Sequence, residues 1–142
     1  MTTHADKATA LLALFSAVVI PWGLSGMFWP DLWLVHLMGV DTSGLDPTVA
    51  ATLRNELRFL EAREFGVGVA AWAFRREIVT NRQARAAFLL VGFAAPIARL
   101  AGWLFDGLPS WTWCTFPLVE AAMCTAIAWV TAASVEEAER RG

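Results

Sequence analysis

Several patterns are missing from this 142-residue chain, and each absence removes a class of function. The formal net charge is only -2 and the basic residues form no dense run, so neither nucleic acid nor an acidic partner is indicated. Metal-ligand spacings such as HxxxH, HExxH and CxxC are absent, as are phosphate-loop, dinucleotide and nucleophile-elbow patterns. The two cysteines, Cys114 and Cys124, lie on different sides of one predicted helix and are interpreted as buried apolar side chains. We therefore predict no metal and no cofactor.

Apolar side chains are abundant instead. Hydrophobic residues make up 57% of the chain, with 8 Trp, 9 Phe and no Tyr, and the mean hydropathy is +0.51. Soluble domains contain about 45–50% apolar residues, and a chain of this length cannot bury so much more in one core. We predict an integral membrane protein that forms a single domain over residues 1–142.

Four segments are long and apolar enough to predict membrane helices. The first has twenty-two residues without a charge, about 33 Å as a helix, and no cleavage site follows it, which favours a membrane helix over a signal peptide. Asp46 and Pro47 are typical of a helix start, while Asp106 and Gly107 are typical of a helix end. The predicted helices cover residues 8–29, 47–74, 84–105 and 111–134. The fold class is all-α, a four-helix transmembrane bundle.

The segments between these helices predict the topology. Residues 30–46 are expected to form a loop with room for a short interfacial helix, and residues 75–85, "RREIVTNRQAR", a basic loop. The residues after 134 are expected to form a charged tail in water. Lysine and arginine occur in that loop and near both chain ends, namely at Lys7, Arg75, Arg76, Arg82, Arg85, Arg140 and Arg141, and not in the other two loops. The positive-inside rule then places both the N and C termini in the cytoplasm.

Charged residues within the predicted spans fall at a similar depth. Counting 1.5 Å per residue from the outer helix ends places Glu56 about 15 Å, Arg99 about 10 Å and Glu120 about 13 Å into the membrane. Arg58 lies near the same level. An ionised side chain in hydrocarbon costs about 2.5–3.5 kcal/mol or more, so these groups should face the interior and pair, Arg99 with Glu120 first. We predict a polar centre toward the outer leaflet.

The second helix carries six charges in the segment "RNELRFLEAREF". A rotation of 100° per residue places Glu61 on a stripe with Arg54 and Arg58, Glu56 on the opposite side with Arg63, and Glu64 among leucines. One helix cannot direct all six charges inward, so Arg54 and Arg63 are expected to snorkel toward headgroups or water.

Aromatic residues and one histidine lie near the predicted outer ends. Six of the eight tryptophans are on that side, among them Trp22 and Trp103, and they form either an interfacial belt or the roof of a cavity. His36 lies in the outer loop, either as an interfacial residue or as a base that reaches the carboxylates.

The "FGVGVA" stretch after the charged segment, the stretch "ARLAGWLFDGLPSW" and the acidic residue in the last helix resemble the small four-helix bacterial membrane proteins of the DoxX-like group, in an uncharacterised branch. The resemblance runs from Leu53 to Trp129. It implies a four-helix bundle in the bacterial cytoplasmic membrane with a shared polar centre at Arg99, Asp106 and Glu120. It implies no activity.

Three functions are compatible with this pattern. The leading hypothesis is a small membrane enzyme that performs acid–base chemistry, such as isomerisation, cyclisation or epoxide opening, on a lipophilic molecule that enters from the membrane lipid. Glu64 would be the neutral acid, Glu120 or Glu56 would stay ionised beside Arg99 or Arg58, and Glu61 would contribute electrostatically. The alternatives are a carrier or accessory subunit that binds a small anion, and a scaffold in which the charges only set helix register. Oligomeric state is left open, a homo-oligomer included.

Overall fold

The computed structural model describes residues 4–109 and 111–141, and this part of the chain is all α-helical. The helices are α1 (His4–Phe28), α2 (Pro30–His36), α3 (Pro47–Ala73), α4 (Arg75–Thr80), α5 (Arg82–Asp106) and α6 (Trp111–Arg141). By length and composition, three of them, α1, α5 and α6, are able to cross a membrane. These three helices indicate an integral membrane protein. The sequence "LPSW" at 108–111 predicts a tight turn, and Ser110 within it lies outside the described residues.

Local capping explains where two of the long helices begin and end. Asp46 accepts hydrogen bonds from the backbone N–H groups of Thr48 and Val49 at 2.8 and 3.4 Å, and Pro47 follows it at the first position of α3. At the end of α5, Gly107 has a φ of +92°, a conformation that glycine adopts without strain. Both boundaries agree with the sequence prediction.

The prediction of a basic loop over 75–85 was wrong. This segment forms α4, and α5 begins at Arg82. Ile78 and Val79 of α4 are buried among residues of α1, α3 and α6, so burial of apolar surface stabilises a helix that is too short to form alone. Asn81 separates the two helices, and its side chain caps α5 by accepting hydrogen bonds from the N–H groups of residues 83 and 84.

The predicted end of the last helix at 134 was also wrong, because α6 continues to Arg141. The added turns contain Glu, Ala and Arg, which are strong helix formers. Glu136 and Arg140 pair one turn apart at 3.4 Å, and Val135 is buried against the rest of the protein. The short helix allowed for in the segment 30–46 is present as α2.

Close packing of α1 on α3 organises the fold. Gly23 and Gly26 of α1 and Gly68 of α3 lie at this contact, where an added Cβ would meet atoms of the facing helix. At one end of the helices, which we call the α4 end, Leu12, Ala71 and Ile127 form an apolar cluster with α4. At the opposite α2 end, Trp33 and its neighbours pack on α3.

Polar contacts fix the remaining elements around this pair. Arg54 of α3 donates to Asp31 of α2 at 2.6 Å and to Thr42 at 3.0 Å, and this holds α2 and the following loop against α3. Arg85 of α5 donates to the Thr131 hydroxyl of α6 at 2.9 Å and to a backbone carbonyl of α6 at 2.6 Å. Both arginines thus use charged hydrogen bonds to join different helices.

Candidate functional site

A cavity of about 200 Å³ lies between the helices, with walls contributed by α1, α2, α3, α5 and α6. The walls are mostly aliphatic and aromatic, with five charged side chains among them. The lining residues are Phe15, Val18, Val19, Trp22, Trp33, Glu61, Arg63, Glu64, Val67, Val91, Gly92, Ala95, Arg99, Trp113, Phe116, Val119, Glu120, Met123 and Cys124. An apolar cavity with a few convergent polar groups is the usual form of a small-molecule site.

Arg99 of α5 and Glu120 of α6 form a two-point pair at this cavity. The Arg99 Nε atom lies 3.3 Å from one carboxylate oxygen, and Nη2 lies 3.2 Å from the other. The predicted pairing of these residues is therefore confirmed. The guanidinium also stacks 4.6 Å from the ring centre of Trp113. Because a planar guanidinium binds a carboxylate in a fixed geometry, Arg99 fixes the orientation of the Glu120 side chain.

Arg63 and Glu64 of α3 form a second pair, with 2.8 Å between Nη2 and Oε1. The Glu64 side chain is 22% exposed and that of Arg63 is 42% exposed, so the pair lies at the rim of the cavity. This arrangement differs from the expectation for Glu64. The Glu64 carboxylate contacts a guanidinium directly, whereas the sequence predicted a carboxyl among leucines.

Glu61 is the most buried carboxyl of the cavity, with only 4% of the residue exposed. Its Oε2 atom is the buried side-chain oxygen without a hydrogen-bond partner in the part of the chain that the structure describes. Gly26 of α1 provides the space for this side chain, because a Cβ there would lie 3.0 Å from Oε2 and nearer still to Cγ and Cδ. Burying an unpaired ionised carboxylate is costly, so a neutral carboxyl fits this position.

Four aromatic side chains cover the α2 end of the cavity. The rings of Trp22 and Trp33 meet edge to face with centroids 4.4 Å apart, and Phe116 joins Trp22 to Trp113 at 5.6 and 5.0 Å. Trp33 is only 4% exposed, which places it within the structure rather than in an interfacial belt. These contacts make a connected aromatic wall that spans α1, α2 and α6.

The structure brings together some of the predicted site residues. Trp22, Glu61, Glu64, Arg99 and Glu120 line the cavity.

Other predicted residues lie elsewhere. Glu56 and His36 are exposed and do not line the cavity. Arg58 instead donates to the backbone carbonyl of Met27 on α1 at 3.2 Å. Asp106 and Trp103 line an adjoining hollow of about 210 Å³, which shares Arg99 and Trp113 with the cavity.

The sequence analysis missed Arg63, Trp113 and Phe116 as cavity residues. A usable signal was present for two of them, because positions 113, 116 and 120 follow the 3- and 4-residue spacing of one helix face. Glu120 thus marks the side of α6 on which both aromatic rings lie. For Arg63 no comparable signal exists, since its direction depends on how α3 is rotated.

Comparison with known proteins identifies a family. A family model described as a domain of unknown function, DUF4345, matches residues 8–131, which is most of the chain and includes every residue of the cavity. No curated protein and no solved structure shows significant similarity to the chain. Within the described residues, no three His, Cys, Asp or Glu side chains are grouped so that they could hold a metal ion.

Proposed function

The chain belongs to the DUF4345 family, a domain of unknown function, and from that premise we propose that it is a small membrane enzyme that performs acid–base chemistry on a lipophilic molecule. The observation that carries this proposal is the unpartnered Oε2 atom of Glu61 at an apolar cavity that also contains Glu120, paired with Arg99. Two carboxyl groups in different environments are the usual basis for separate acid and base roles.

In this mechanism Glu61 donates a proton to the bound molecule, and Glu120 accepts one from it. The environments support this assignment, since the Oε2 atom of Glu61 has no hydrogen-bond partner whereas Glu120 is held by Arg99. The sequence analysis gave the acid role to Glu64, and the contact with Arg63 transfers it to Glu61. The reaction is an isomerisation, cyclisation or epoxide opening, in which no electrons are exchanged with a cofactor.

The aromatic wall would stabilise positive charge that develops on the substrate. Trp22 and Trp33 lie on the side of the cavity where α1 and α2 meet α3, and tryptophan faces attract cations. Because most other lining residues are aliphatic, a lipophilic molecule would enter from the bilayer between helices.

The proposed topology has α3 as a fourth span beside the three apolar helices. Its 27 residues correspond to about 40 Å, and it packs along α1 with Gly23 and Gly68 at the contact. Both termini and the basic residues of α4 and early α5 would then face the cytoplasm. The cavity would lie toward the outer leaflet of a bacterial cytoplasmic membrane, in keeping with the DoxX-like resemblance.

The test uses the protein purified in lipid nanodiscs and incubated with a total lipid extract of the expressing cells. Mass spectrometry before and after incubation identifies any species that is consumed and any that is formed. We expect Glu61→Gln and Glu120→Gln to slow conversion about 100-fold or more, the usual contribution of a general acid or base. Glu56→Gln is the matched control, because it changes an exposed carboxyl on the same helix as Glu61.

Two results would count against the enzyme. If both variants fold and convert the lipid extract at the wild-type rate, the acid–base role of these carboxyls is refuted. If wild-type protein retains a molecule saturably but never alters it, the cavity belongs to a carrier.

A further inference from the structure

The acidic side chains of the cavity outnumber its basic side chains, and the carboxyl that lacks a basic partner indicates the chemistry of the ligand. Three carboxyls, Glu61, Glu64 and Glu120, face the cavity with two guanidinium groups, Arg63 and Arg99. We propose that the cavity binds a lipophilic amine whose ammonium group pairs with Glu61. This inference deepens the proposed function, on which it rests for the cavity and for the proton carried by Glu61.

An anionic ligand is disfavoured because both guanidinium groups are already in use. Arg99 makes two contacts with Glu120, and Arg63 contacts Glu64. Binding an anion would require one of these pairs to break, which leaves a carboxylate without its partner at a partly buried position. A cation needs no such rearrangement, since Glu61 Oε2 is buried and unpaired.

The surroundings of Glu61 also suit a cation. Gly26, whose position touches the Glu61 side chain, lies one turn after Trp22 on α1. On α3, Leu57 lies one turn before Glu61 and packs against Trp33. Two tryptophan rings and the Glu61 side chain therefore line the same cavity.

Among the described residues, no guanidinium group contacts either of these two rings. The guanidinium–ring contacts among the described residues involve Trp72, Trp113 and Phe116, so neither Trp22 nor Trp33 is covered by an arginine. An organic ammonium between aromatic faces and a carboxylate is a well-established mode of recognition.

Proton transfer accounts for the charge in this complex. A neutral amine enters from the lipid, its nitrogen lone pair takes the Glu61 proton, and the O–H bond of the carboxyl breaks as the N–H bond forms. The product is an ammonium–carboxylate pair whose total charge equals that of the separate groups. A permanent cation binds the same site only when Glu61 releases its proton to water.

The test compares three small aromatic probes by equilibrium dialysis against the protein in phosphatidylcholine nanodiscs, with empty nanodiscs as the blank. The probes are phenyltrimethylammonium, its neutral isostere tert-butylbenzene and the anion benzenesulfonate. We expect saturable binding of phenyltrimethylammonium above the blank, and a loss of about tenfold or more in affinity for Glu61→Gln, because the buried cation then has no counter-ion. Glu56→Gln should bind as the wild type does.

The proposal is overturned if wild-type protein binds benzenesulfonate as tightly as phenyltrimethylammonium, or if Glu61→Gln binds the cation with unchanged affinity. If Glu61→Gln fails to fold, two other measurements test the proposal. One is the comparison of the three probes on wild-type protein, and the other is the variant Trp22→Leu, which should bind the cation more weakly. Conversion of the lipid extract without a preference for the cation would refute only this inference. Cation binding without any conversion would refute only the enzyme.

Discussion

The contact between α1 and α3 at Gly23 should be intolerant of a single methyl group. In Gly23→Ala the new Cβ would lie 2.6 Å from the backbone nitrogen of Phe65 and 2.7 Å from the carbonyl oxygen of Glu61. Neither atom belongs to a side chain that could rotate away. The helices must therefore separate by about 0.8 Å or more at this point before the contact reaches the 3.4 Å of ordinary packing.

The expected cost follows from two opposing effects. Forcing an extra methyl group into a well-packed interface costs about 1–3 kcal/mol. Replacing glycine by alanine in a helix interior stabilises the helix by up to about 1 kcal/mol, because alanine has the higher helix propensity. Since the clash involves backbone on the facing helix, the first effect should dominate, and Gly23→Ala should lower the free energy of unfolding by about 1–2 kcal/mol.

Unfolding in mixed micelles with increasing SDS, followed by circular dichroism, measures this difference. Gly66→Ala is the matched control, because a Cβ added at Gly66 within α3 would enter open space. This control variant should be neutral or stabilising. Equal stability of Gly23→Ala and Gly66→Ala would refute the close helix contact on which the position of Glu61 depends.

Three further changes test the cavity. Gly26→Ala should destabilise less than Gly23→Ala, because the three atoms nearest its Cβ belong to the Glu61 side chain and not to backbone. It should nevertheless weaken phenyltrimethylammonium binding in the dialysis assay. Arg99→Met and Glu120→Leu should each lower the free energy of unfolding by about 1–2 kcal/mol, a range reduced because the pair is partly exposed. In a double-mutant cycle, the double variant should lower it by less than the sum of the two single changes. When wild-type protein binds phenyltrimethylammonium in weak buffer, it should release about one proton per cation, whereas Glu61→Gln should release none. A pH electrode records this release. The other titratable groups of the cavity are Glu64, Arg63, Arg99, Glu120 and Cys124.

The long helices were predictable because each signal lies within a single segment. The charge-free run of α1 and the Asp46 and Pro47 start of α3 depend on neighbouring residues alone. The helical character of residues 75–80 was not predictable in this way, since it depends on burying Ile78 and Val79 against other helices. Tertiary packing there overrides a local pattern that is typical of a loop.

The Arg99 and Glu120 pair was predictable from depth, because opposite charges at one level inside a membrane must meet. The sequence did not predict which carboxyl of α3 lies buried at the cavity. Glu56, Glu61 and Glu64 differ in which side of α3 they occupy, and the rotation of α3 is set by contacts with Gly23 and Gly26 on another helix. No property of the charged segment itself contains that information.

The balance of charge also separates a ligand-binding cavity from a scaffold. A scaffold that uses charge only to set helix register gains from each pair it completes, as with Arg99 and Glu120. It gains nothing from Glu61, whose buried Oε2 atom lacks a partner and whose place could be filled by an apolar side chain of similar volume. An unpaired buried carboxyl lowers the stability of the fold unless something binds it. The position of Glu61 at an apolar cavity, which two tryptophan rings also line, therefore favours a bound molecule over a purely structural role.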